Sequence, residues 1–195
     1  MLANNNKPYD QIWKLYTMHL CYSFVTKSWD TAIILFIAQL TNNSLRVVAL
    51  CGFLSSLSIF LLMTSIGRWL DKSDRLVVVK TSLIIKLIAV TTAYLICAFL
   101  INYNNIIHTT LFTIFLYLLP ILFAITGVCF STINQSVEKD WLVVLSDGNT
   151  DWLTNTNAVM SQIDLLCNSL APVSVVFLHT LIQTLYTTLY LFHCI

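Results

Sequence analysis

Fifty-one consecutive residues, from Leu87 to Val137, carry no formal charge. Val47 to Gly67 is a second such run of 21 residues, and a third begins at Leu165 and continues through Ile195. About 20 apolar residues, each rising about 1.5 Å, span the hydrocarbon core of a bilayer. The longest run therefore has room for two crossings, and the polar patch Asn102, Asn104, Asn105 and His108 divides it. Composition closes the other routes. Hydrophobic residues make up 57% of the chain and charged ones 10%, against about 25% charged in an ordinary soluble domain. A water-soluble globule so poor in charge would turn large apolar patches to solvent. Disorder needs the opposite composition. Nucleic-acid binding needs a basic surface that a net charge of +1 does not supply. The solvent of this chain is lipid.

The pattern predicts an all-α polytopic membrane protein of about six transmembrane helices. Residues 1–12 form a cytoplasmic N-terminus, and helices are expected over 13–40, 45–67, 76–101, 109–135 and 153–178. A sixth apolar stretch, 181–195, stops short of a full crossing. The first residues do not read as a secretory signal, because Asn4, Asn5, Asn6, Lys7 and Asp10 lead into a segment that itself contains Lys14, Lys27 and Asp30. Arg68, Lys72, Arg75 and Lys80 surround the second connection, Lys7 and Lys14 flank the N-terminus, and Lys139 lies in the fourth connection. Basic residues in short loops stay in the cytoplasm, which places the N-terminus there. Asn42-Asn43-Ser44 is then a glycosylation sequon on the outer side. The six cysteines are widely spaced within or beside apolar runs and form no CxxC, so they read as small hydrophobes rather than a disulfide or zinc framework.

Four polar features stand where lipid makes polarity costly. Thr26 and Asp30 are four residues apart on one face of the first helix. A carboxylate in mid-membrane costs about 2.5–3.5 kcal/mol on insertion scales, so it faces a cavity or a partner. The pair reads as a hard-oxygen half-site for a cation, or as a packed polar contact or internal salt bridge. Lys86 in the third helix either pairs with Asp30 or Asp164 or snorkels to the interface. Asn157, Asp164 and Asn168 fall near one face of the fifth helix, a polar stripe expected to face protein, as a water-filled pathway or as interhelical hydrogen bonds. Finally, Gly67-Arg68-Trp69-Leu70-Asp71-Lys72-Ser73-Asp74-Arg75 resembles the connection between the second and third helices of major facilitator transporters. There, carboxylate and guanidinium groups lock helix ends and release them as two halves rock.

Together these segments resemble the ferroportin iron exporters. Gly67 to Leu76, continuing into Thr81-Ser82-Leu83, is similar to that family's second connection. Asp140-Trp141-Leu-Val-Val is similar to the turn after its fourth helix. Asn155-Thr-Asn157-Ala, Ile163-Asp164 and Asn168-Ser-Leu-Ala171-Pro172 are similar to its fifth helix, and the Asn42-Asn43-Ser44-Leu45 loop also fits. The order and spacing hold over residues 20–178. The resemblance implies that Thr26 and Asp30 occupy the N-lobe metal positions and that Trp29 matches the tryptophan before the second of them. It implies that Asp71, Arg75 and Asp140 are cytoplasmic gate residues, and that Asp164 belongs to the same pathway network. Lys86 stands where some members carry an uncharged residue that helps bind calcium, which argues against a calcium-activated step. Ser161 and Gln162 replace a basic pair.

The reading that follows is one N-lobe of a major facilitator-type exporter of ferrous iron or a similar divalent metal, working by alternating access at the plasma membrane. The ion is cargo and no resident cofactor is expected. Partners are the bilayer, the metal, and a missing C-lobe or a full-length copy. No nucleophile–base pair, phosphate loop or zincin motif is present, so no enzyme is expected. Two rivals remain: a major facilitator transporter of an organic substrate, and a non-transporting membrane piece that associates with a complete exporter.

Overall fold

Long stretches without charge leave the backbone one way to satisfy its polar groups in lipid, which is to bond along itself, and the helices run on even through Pro120 and Pro172. The computed structural model describes residues 7–41, 44–103, 109–137, 142–146 and 148–193, with side chains described over 12–41, 44–74, 76–101, 110–137, 142–143, 146 and 148–182. Its elements are α1 (Lys7–Leu40), α2 (Leu45–Lys72), α3 (Arg75–Tyr103), α4 (Thr109–Gln135), the short α5 (Leu142–Ser146) and α6 (Thr150–His193). No strand occurs among the described residues. All but α5 are long and apolar enough to cross a membrane. Threonine hydroxyls within them bond back to their own helices, as Thr31 does to the Lys27 carbonyl at 2.9 Å and Thr132 to that of Val128 at 2.8 Å.

The expected bounds hold for α4 and nearly so for α3, and differ elsewhere for identifiable reasons. α1 begins at Lys7 rather than 13, because Pro8 falls in the first turn, where its missing N–H costs nothing. α2 runs through Gly67 to Lys72. A single glycine weakens a helix by only about 1 kcal/mol, and Arg68-Trp69-Leu70 continue it. The stop comes at Ser73, which is extended (φ −112°, ψ 155°) and donates its N–H to the Trp69 carbonyl. The two apolar stretches 153–178 and 181–195 have no glycine or proline between them, and one helix, α6, runs through both for 44 residues. Its start is well marked. Gly148 takes the left-handed φ of 84° that glycine tolerates, and the Asn149 side chain accepts the Trp152 N–H at 3.0 Å. Among the described residues, five helices are long and apolar enough to cross a membrane. The Asn42-Asn43 part of the sequon, the Asn104–His108 patch, Lys139 and Asp140 lie outside those residues.

The chain divides into two compact units. One comprises residues 34–153, where α4 packs against both α2 and α3. Gly127 permits the close approach of α2, since a Cβ there would stand 2.5 Å from Ser55 Oγ. Phe99 and Phe115 meet edge to face at 5.6 Å between α3 and α4. Val47 and Cys51 of α2, Val78 and Leu100 of α3, and Leu119 and Ile133 of α4 are buried there. Phe60, Leu95 and Ile114 point outward, the arrangement expected when hydrocarbon is the solvent. The other unit joins α1 up to Ile33 with α6 from Thr154 onward. There Trp29 and Ile33 of α1, and Met160, Cys167 and Ala171 of α6, are buried.

Candidate functional site in the seam between the first and last helices

His19, Ser23, Thr26 and Asp30 follow one another on α1 at intervals of four, three and four residues. At about 3.6 residues per turn they fall within about 60° of arc, a polar stripe three turns long. His19, Ser23 and Thr26 are buried and Asp30 is half-buried. Farther along the same face the stripe gives way to Ile33 and Ile37, which are also buried. Half of this stripe, Thr26 with Asp30, was legible as a same-face pair. The other half was missed, although stepping back from Thr26 by three and seven residues would have found Ser23 and His19.

On α6 the buried positions Thr156, Met160, Cys167 and Ala171 recur at intervals of four, seven and four. Asp164 sits one turn beyond Met160, at the border of that face, with its side chain 24% exposed. Two groups of α1 converge on it. Ser23 Oγ donates to Asp164 Oδ1 at 2.5 Å, and His19 Nε2 lies 3.1 Å from the same oxygen. The imidazole contact is off the direction of a hydrogen bond, so it acts through charge, and only when the ring is protonated. One turn away, Cys167 Sγ points to the Leu20 carbonyl at 3.7 Å. The expected polar stripe of α6 is therefore split. Asp164 meets protein, whereas Asn157 and Asn168, rotated about 20–40° farther round the helix, are exposed.

Thr26 donates its hydroxyl hydrogen to the Tyr22 carbonyl at 2.8 Å. Among the described residues no three His, Cys, Asp or Glu side chains cluster. What the seam offers is one imidazole, carboxylates from two helices and hydroxyls, a set weighted towards hard oxygen donors.

Lys86 belongs to the other unit. Expected to need an anion or to snorkel, it holds its ammonium 5.4 Å from the centre of the Phe130 ring, a cation–π arrangement. Of the expected gate, Asp71 is exposed one residue before the end of α2, and Arg75 opens α3 with its side chain outside the described residues. Asp140 lies outside them altogether.

The family model for Ferroportin1 matches residues 10–194, nearly the whole chain and all of the seam. The chain belongs to the ferroportin family. It is 32% identical to ferroportin of Canis lupus familiaris over 166 residues and 31% identical to ferroportin of Homo sapiens over 165. A more distant relative is solute carrier family 40 member 1 of Arabidopsis thaliana, 26% identical over 162 residues. The matched segments cover 83% of this chain but 29% of the dog and human ferroportins. The chain thus spans under a third of the length of these relatives. Metal export is the work of the family. His19, Ser23, Thr26, Asp30 and Asp164 all lie on helices long and apolar enough to cross a membrane.

Proposed function

We propose that this chain supplies the N-terminal lobe of an alternating-access exporter of ferrous iron or a similar divalent metal. The observation that carries the reading is the α1–α6 seam, where His19 and Ser23 hold Asp164 on the face that also bears Thr26 and Asp30. Polar groups at this depth are retained when they line a path or bind cargo. In the proposed cycle the metal is cargo, met by the Thr26 hydroxyl oxygen and the Asp30 carboxylate, with Asp164 completing the polar lining. Asp71, Arg75 and Asp140 lock the cytoplasmic side, and their release lets that side open. Asn157 and Asn168 border that lining on the exposed side of α6. The N-terminus is cytoplasmic and the site of action is the plasma membrane. The partners are lipid, metal and a C-terminal lobe, supplied by further chain or by a full-length copy. No covalent step is involved, so the chain is a transporter component rather than an enzyme.

The test is iron efflux from cells loaded with ferrous iron. Cells expressing these 195 residues alone should export no more than empty cells. Cells that also express the C-terminal lobe of an animal ferroportin should export iron, and Asp30→Ala should lower that rate at least tenfold. Export by the 195 residues alone would sink the one-lobe reading. Metal-dependent efflux from the paired lobes that survives Asp30→Ala would favour a transporter of another substrate.

A further inference from the structure

A groove of about 380 Å³ runs along the unit formed by residues 34–153, between α2, α3 and α4. Leu54, Leu62 and Trp69 of α2 line it, with Ile85 of α3 and Ile121 and Ile125 of α4. From Leu54 to Trp69 is about 22 Å along the helix at about 1.5 Å per residue. One leaflet of a bilayer holds about 15 Å of hydrocarbon, half of the roughly 30 Å core. The groove therefore begins at the interface and crosses one leaflet. Trp69 marks the interfacial end, with its indole partly exposed, at the level where tryptophan is enriched in membrane proteins. Arg68 and Lys72 lie beside it, and Lys80 stands on the first turns of α3, all exposed.

We propose that this groove is a binding site for an anionic glycerophospholipid of the leaflet that meets the α2–α3 turn. One acyl chain lies along Leu54, Leu62 and Ile125, and the phosphate sits beside Arg68 and Lys72, where basic side chains near a membrane surface attract anionic headgroups. Both stand beside Trp69, which lines the end of the apolar slot. The proposal does not depend on the transport reading.

The experiment reconstitutes the 195-residue chain in phosphatidylcholine vesicles containing increasing fractions of phosphatidylglycerol or phosphatidylcholine brominated on one acyl chain. The signal is quenching of Trp69 fluorescence, obtained as the difference between the chain and its Trp69→Phe variant. Half-maximal quenching is expected at an at least threefold lower fraction of brominated phosphatidylglycerol than of brominated phosphatidylcholine. The combined substitutions Arg68→Gln and Lys72→Gln should bring the two curves together, while Lys80→Gln, on the far face of α3, and Lys14→Gln should not. Equal curves for the unsubstituted chain would overturn the proposal by showing only annular lipid. Absence of quenching would also overturn it, by showing that protein covers the groove. A measurement that needs no variant is labelling by a phosphatidylglycerol with a photoactivatable acyl chain. The Leu54–Trp69 peptide should be tagged, and unlabelled phosphatidylglycerol should compete better than phosphatidylcholine. Equal competition would count against the site.

Discussion

The two units solve the same problem with opposite chemistry. In residues 34–153, helices meet through Leu119, Ile133, Leu100 and the Gly127–Ser55 contact, with Lys86 laid over Phe130. In the unit built from α1 and α6, helices meet through His19, Ser23 and Asp164. Lipid is as apolar as leucine, so the first kind of contact gains little from burial and depends on shape. The second depends on satisfying groups that hydrocarbon would leave unpaired. Shape suits a scaffold, because nothing about it changes when an ion or a proton arrives. A polar seam suits a site, because its partners can be exchanged.

That contrast predicts different responses to mutation. The largest effect is expected at the shape contact. Gly127→Leu should destabilise the protein by about 3 kcal/mol in detergent unfolding, because α4 must move away from α2. Gly127→Ala should cost much less, since the Ser55 hydroxyl can turn aside, and Ser55→Ala should recover what is lost. A large cost for Gly127→Ala that Ser55→Ala fails to relieve would show that the backbone, not this side chain, sets the separation. In the polar seam, Asp164→Ala should cost about 1–2 kcal/mol. Adding His19→Ala should cost little more, since its partner has already gone; additive losses in that double-mutant cycle would mean that the two side chains are not coupled.

Lys86 gives the next test. Phe130→Ala should cost about 1 kcal/mol by leaving the ammonium without its ring, whereas Lys86→Met should be neutral or stabilising, because it removes a charge from the membrane. If both substitutions destabilise equally, Lys86 is held by something stronger than the ring. The smallest effect should come from Asn149→Ala, about 0.5–1 kcal/mol, read as faster hydrogen exchange in the first turn of α6 and unchanged exchange elsewhere.

Much of the fold was legible because charge is so rare. The charge-free runs Val47–Gly67 and Leu87–Val137 mark out most of α2 and, on either side of a polar patch, the second half of α3 and all of α4. Two boundary errors came from treating weak signals as stops. Gly67 is a small perturbation in a long helix, and nothing at all interrupts the backbone near residue 180. The site was half legible. Thr26 with Asp30 showed as a local spacing, and Asp164 as a carboxylate too deep to be idle. Their assembly was hidden, because Ser23 and Asp164 are 141 residues apart and no local rule links such positions. Buried histidine on an apolar helix is usually a packing residue, and only the position of Asp164 distinguishes His19 from that ordinary case.

The same separation has a consequence for how the protein is made. At roughly 5–20 residues per second of synthesis, α1 leaves the ribosome about 7–28 s before Asp164 follows it. Of the spanning helices α1 is also the least apolar. Throughout that interval the imidazole and serine of α1 lack the Asp164 carboxylate that they meet in the folded protein. The seam is completed only when α6 arrives, long after α1 has been made.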